Sequence, residues 1–270
     1  MADRVLLSAS PDNIEQCVQL AVERGLGIEV TTFAFPDLLD GDWQRSLNRY
    51  KTLLEPVPGI IAMHGPFMDM APGSPDKRVN QVCIERYQHA IRIAQALGVE
   101  VVVFHANFIA SIQTEVYRQG WHRRNITFWR AMADYAQQHD VTLAVENMWE
   151  FDPDIIGDVV KTIEHPHLRI CVDVGHAHLF SHVPFREWLA SLAPYIIHLH
   201  INNNDGLLDI HRALPDGVLN YPATLQQLRA LPYKPTMTLE METVAEMRAS
   251  LQFLDLPEPT DSWRNRLPAK

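Results

Sequence analysis

Ile196-Ile197-His198-Leu199-His200-Ile201, running directly into Asn202-Asn203-Asn204-Asp205-Gly206, is the stretch that decides the reading of this chain. The branched apolar residues mark a buried strand, and the asparagine run with its glycine marks the loop that ends it. Side chains alternate faces along a strand, so His198 and His200 are expected to share one side, opposite Ile197 and Leu199. Two imidazoles on one inner face call for a polar reason. A few residues on, Asp209-Ile210-His211 sets a carboxylate beside an imidazole, the nitrogen and oxygen donor set that divalent metals of intermediate softness prefer.

Working outward, short apolar runs alternate with helical patterns along the whole chain, and eight such pairs can be counted. The strands are expected at residues 5–8, 27–32, 60–64, 99–105, 142–147, 168–173, 195–201 and 236–240. The first helix shows the grammar of the others. Ser10-Pro11-Asp12 supplies a cap and an early proline, Ile14, Val18, Ala21 and Val22 form a stripe, and Gly25 stops it. Residues 76–97, with Val79, Cys83, Tyr87, Ala90, Ile91 and Ala94 at helical spacing, repeat the pattern. So do 42–54, 121–139, 155–164, 185–192, 223–231 and 244–254.

Eight strand and helix units in about 250 residues is the arithmetic of a single-domain (β/α)8 TIM barrel, here residues 1–255. The alternative, an open doubly wound sheet, lacks the glycine-rich loop that should follow its first strand. Residues 256–270, with three prolines and Trp263, read as an extended tail.

Composition narrows the function. The 270 residues are 47% hydrophobic, enough for a large core, and the net charge of -10 argues against a nucleic-acid footprint. Cys17, Cys83 and Cys171 are odd in number and far apart, so neither disulfides nor a thiolate zinc site is expected. The N-terminus runs straight into a strand, and no apolar run is long enough for a signal peptide or a membrane span. The sequence therefore predicts a cytoplasmic protein and leaves a homo-oligomer open.

In such a barrel the active site lies at the carboxyl ends of the strands, and ionisable residues collect there on six consecutive strands. These are His64, His105, Glu146, Asp173 with His176 just beyond, His200 and Glu240. Alternation supports an inward direction: Thr142, Ala144 and Glu146 share one face, as do Thr236, Thr238 and Glu240. Facing carboxylates in a buried site are costly without a cation, so a divalent metal is the simplest neutraliser. His198 sits one layer deeper than His200 and reads as a support. Trp149 and Glu150, together with His176, are candidates for contacting a small substrate.

With these residues in place, the chain resembles the xylose isomerase-like barrels, which include sugar and sugar-phosphate isomerases and epimerases and the endonuclease IV type of abasic-site nuclease. The resemblance runs from the first strand to the eighth and is carried by Val145-Glu146-Asn147, Cys171-Val172-Asp173-Val174-Gly175-His176, Asp209-Ile210-His211 and Thr238-Leu239-Glu240. In the epimerase branch, Glu146, Asp173, His200 and Glu240 are expected to hold one ion of Mn, Zn, Mg or Co, with Glu146 and Glu240 also serving as acid and base. In the nuclease branch those four join His64, His105, His176, Asp209 and His211 around as many as three ions. An arginine that ketohexose epimerases place six residues after the metal histidine is Gly206 here.

Two enzyme readings follow. The leading expectation is a metal-dependent isomerase or epimerase acting on a sugar or sugar phosphate through an enediolate, flanked by Glu146 and Glu240. The alternative is an endonuclease IV-like multi-metal phosphodiesterase, acting on abasic DNA or another phosphoester. Charge favours the small substrate, since only Arg118, Arg123 and Arg124 cluster. A non-catalytic sugar- or metal-binding barrel leaves the paired glutamates unexplained.

Overall fold

The structure is a computed structural model describing residues 4–254. Its eight strands are β1 (Arg4–Ala9), β2 (Gly27–Val30), β3 (Ile61–His64), β4 (Val101–His105), β5 (Thr142–Glu146), β6 (Leu168–Asp173), β7 (Ile196–Ile201) and β8 (Thr236–Leu239). Every strand pairs in parallel with the next, and β8 pairs with β1, so the sheet closes into a barrel. Helices between the strands form the outer shell, giving the (β/α)8 architecture read from the sequence. Among the described residues no helix is long and apolar enough to cross a membrane. The expected tail at 256–270 lies outside the described residues.

The main core lies between sheet and helices, where each strand turns one row of side chains outward against the helical stripes. Phe104 of β4 stacks on Tyr87 with ring centroids 4.0 Å apart, and Trp129 closes on both from the helix Glu115–Gln138. The helix Lys77–Leu97 that carries Tyr87 starts where the Asp76 carboxylate accepts the amides of Arg78 and Val79, and ends at Gly98 with φ 70°.

The barrel interior is given mostly to polar groups. Its apolar plug is small: Val103, Ala144 and Cys171, with Val101 and Ile197 against them. Ile197 is a departure from strict alternation, which put it with the outward row. Ile170 pairs with Ile196 while Cys171 pairs with His198, so β7 carries one extra residue at this point. That bulge turns Ile197 into the interior and leaves His198 and His200 pointing inward above it.

Other differences from the sequence reading are at element ends. The first helix begins at Ile14, with Asn13 at its N-cap position, and the fourth unit's helix starts at Glu115, where Thr114 accepts the amide of Tyr117. Two short helices, Pro36–Asp40 and Val174–Phe180, have no counterpart in the periodicity because neither is long enough to show one.

The stacked aromatic seam yields a prediction. Phe104→Ala removes a fully buried ring that backs the β3 and β4 ends, and should cost about 3–5 kcal/mol in denaturant unfolding.

Candidate metal centre

Strand alternation brings His64, His105, Glu146, Asp173 and His200 to the carboxyl end of the barrel interior, all buried. Parallel register seats His105 beside Glu146 and Asp173 beside His200. Glu240 follows β8, its amide donating to the Ile201 carbonyl, so it continues the inward row of Thr236 and Thr238. His176 enters from the turn after β6, where the Asp173 carboxylate caps the helix Val174–Phe180 by accepting the His176 amide. Asp209 and His211 arrive on the loop after β7, folded back by reciprocal main-chain bonds between Asn203 and Arg212.

The nine residues form three groups, two of which share Glu146. In the first, Nε2 of His64 and Nε2 of His105 stand 3.3 and 3.2 Å from Oε2 of Glu146. In the second, Nδ1 of His200 lies 3.0 Å from Oε1 of Glu146 and 3.2 Å from Oε2 of Glu240, with Asp173 completing the set within 4.8 Å. The third joins His176 Nε2 to Asp209 Oδ2 at 3.3 Å and His211 Nε2 to Asp209 Oδ1 at 3.2 Å. His211 Nδ1, 3.6 Å from Glu240 Oε2, links it to the second.

The donor chemistry fits divalent cations. Two donors sharing a tetrahedral ion at about 2.1 Å stand about 3.4 Å apart, close to the separations seen. Glu146 Oε2, Glu240 Oε2 and His176 Nε2 are buried and have no hydrogen-bond partner, so their lone pairs converge without being satisfied by protons. The outer ring nitrogens are spent elsewhere. Nδ1 of His64 donates to the Gly65 carbonyl and Nδ1 of His176 to the Asn147 carbonyl, each at 2.9 Å, which leaves both Nε2 atoms as acceptors facing inward.

Electrostatics match this picture. Burial alone would raise the Glu146 carboxyl, but His200 and His105 hold it well below the usual carboxylate range. Glu240 is likewise penalised by burial yet held down to about 2 by His200 and His211. Asp173 is pushed up to about 6, chiefly by burial. His176 is raised well above the ordinary histidine value despite burial, by Asp173, Asp209 and Glu146, and His200 likewise, by Cys171 and then Glu146, Glu240 and Glu29. Without a cation, protons on these imidazoles do the neutralising that a bound metal would do in their place.

The centre opens into a cavity of about 850 Å³, whose wall includes Ser8, Asn13, Phe35, Phe67, Met148 and Arg212. Arg212 is the only Lys or Arg in that wall among the described residues. Arg118 and Arg124 are turned away: Arg118 pairs with Asp152 at 2.7 Å and Arg124 donates to the Gly73 carbonyl.

Of the three expected substrate contacts, only His176 lines this cavity. Trp149 lies in a separate cleft with Ile109, Phe151 and Phe180, because the chain turns away from the barrel axis once β5 ends. Glu150 is buried, and its two oxygens accept the amides of Phe108 and Met148, so it braces the loops after β4 and β5.

The sequence reading passed over three supports. Asn147 clamps the Asp173 main chain through both ends of its amide, at 3.0 and 2.9 Å, and Asn202 donates to Asp173 Oδ2. Asn202 packs so closely under Gly175 that a Cβ there would meet its Oδ1 at 2.0 Å, which explains the glycine in that motif. Glu29 is the third, a carboxylate inside the otherwise apolar β2 and only 1% exposed. Its signal was available: one charge on the face of Gly27, opposite Ile28 and Val30.

Solved structures with this architecture include the TTHB071 protein from Thermus thermophilus, in a form soaked with ZnCl2. It is 28% identical, with a TM-score of 0.79 over 98% of this chain and 99% of that one. A D-tagatose 3-epimerase-like protein, 22% identical, superposes with a TM-score of 0.78 over 97% of each chain. An AP endonuclease, family 2, from Brucella melitensis, 18% identical, gives 0.72 over 96% of this chain and all of that one. The last two likenesses show the fold alone. A family model described as xylose isomerase-like TIM barrel matches residues 3–256, and the chain belongs to that family.

Proposed function

We propose that this protein is a multi-metal hydrolase that cleaves a phosphoester bond in a small, sugar-phosphate-like substrate. The observation that carries the proposal is the use made of Glu146. Oε2 faces His64 and His105 while Oε1 faces His200, so one buried carboxylate spans two donor groups and keeps no oxygen for a substrate proton.

Divalent cations in the three groups would supply Lewis-acid activation of water and of a phosphoryl oxygen. The chain's own part is to hold the donors, exclude bulk water from Glu146, Asp173 and His200, and orient the substrate. Arg212 is the cation in the cavity wall available to a phosphate, and the Ser8 hydroxyl offers a polar partner for a sugar. With a single arginine there and a net charge of -10, a small phosphoester fits better than a DNA backbone. The buried, unpaired cysteines suit a cytoplasmic setting.

A second reading, a sugar or sugar-phosphate isomerase working through an enediolate, is favoured by Glu240. Its side chain is 17% exposed at the cavity wall, across His200 from Glu146, where a carboxylate could exchange a proton with a bound ligand.

Two measurements separate the readings. His105→Ala and His211→Ala lie outside the four-residue set that an isomerase needs. If hydrolysis is the activity, each should lower cleavage of a panel of sugar phosphates and phosphodiesters, read as phosphate from the former and as freed alcohol and phosphomonoester from the latter, by at least about 100-fold. Unchanged turnover in both variants, with deuterium from solvent appearing beside the carbonyl of a sugar, would establish the isomerase instead. Metal removal is the other test: chelator-treated protein should lose phosphoester cleavage and regain it with zinc or manganese, with elemental analysis giving more than one ion per chain.

A further inference from the structure

Beneath the metal centre lies a closed polar layer that the proposed reaction does not use. Glu29 reaches across from β2, and among the described residues its side-chain donors come from β7 and β8. His198 Nε2 donates to its Oε2 at 2.9 Å and Thr238 Oγ1 to the same oxygen at 2.5 Å. His200 Nε2 is shared between both oxygens, at 3.1 and 3.2 Å. His198 is tied at its other nitrogen to Thr236 Oγ1, at 2.5 Å. Glu29 is 1% exposed and takes no part in the cavity wall, so it cannot touch a substrate.

We infer that Glu29 is a positioning residue for His200: it accepts the Nε2 hydrogen and so presents Nδ1, bare, to the group formed with Glu146, Asp173 and Glu240. This rests on the reading of that group as a cation site. Neutral imidazole carries one N–H, and carboxylates that can only accept stand at both ring nitrogens, Glu146 at Nδ1 and Glu29 at Nε2; a cation taken by Nδ1 leaves Glu29 to accept the one hydrogen, on Nε2. Nδ1 then points its lone pair between Glu146 Oε1 and Glu240 Oε2. A carboxylate behind a ligating imidazole fixes the ring's rotation and raises its basicity. His198 and Thr238 keep Glu29 charged and in place, which accounts for a second inward histidine that ligates nothing. Cys171 lies within reach of the same two histidines, but both Nε2 atoms are taken by Glu29 and burial pushes its thiol up, so it stays a packing residue.

The test uses the full chain, stripped of metal and titrated with zinc against a competing chelator, alongside long-range nitrogen–proton NMR of the histidine rings. In the wild type, His200 should show Nε2–H and metal-shifted Nδ1. Glu29→Gln, which fills the space without the charge, should weaken one ion by about 10–100-fold and leave the affinities set by His64 with His105, and by His176 with His211, unchanged. Wild-type affinity for every ion in a folded Glu29→Gln protein, or a wild-type His200 protonated at Nδ1, would overturn the inference while the cation reading stands. If Glu29→Gln does not fold, the wild-type ring spectrum alone decides. Wild-type protein that binds no zinc would overturn the cation reading and this inference with it.

Discussion

The structure depends on one buried carboxylate that would be intolerable alone. Glu146 is wholly buried at the end of β5, and four imidazoles, from His64, His105, His176 and His200, stand within 3.6 Å of it. Desolvating a charge costs several kcal/mol unless opposite charge and hydrogen bonds replace the lost water. Closing the barrel makes this possible, because it brings donors from separate strands to one point that no local segment could assemble.

That arrangement would be fragile in a domain whose stability came from the barrel interior. Here the interior apolar plug is a handful of residues, and the extensive core lies outside, between strands and helices. The division frees the inner face for polar tiers: Thr236, Thr238, His198 and Glu29 below, the donor groups above. Each tier holds the next, with Asn147 and Asn202 fixing Asp173, and Asn203 folding the β7 loop so that Asp209 and His211 meet His176. The donor groups at the top are thus supported by ordinary hydrogen bonding beneath them.

The architecture was legible in the chain because period is a local property. Apolar runs of four to six residues separated by amphipathic stretches identify strands and helices wherever the chain goes next, and eight repeats leave few topologies open. The nine donors were legible for a related reason: polar residues at the ends of apolar strands violate the pattern around them. Glu29 violated it too, in the middle of β2, but a single charge on a short strand has no neighbour in sequence that explains it. Its partners are 169 residues away or more.

By itself, then, the sequence determined the closed barrel, the end of it where the donors gather and the residue types found there, since all three follow from alternation and spacing along the chain. Only the tertiary structure decided how the donors divide. That Glu146 is shared between two groups, that Trp149 and Glu150 turn away from the cavity, and that Glu29 stands behind His200 depend on the bulge in β7, the loop turns and the register around the barrel. Those are set by packing between segments far apart in the chain, where spacing along it carries no information.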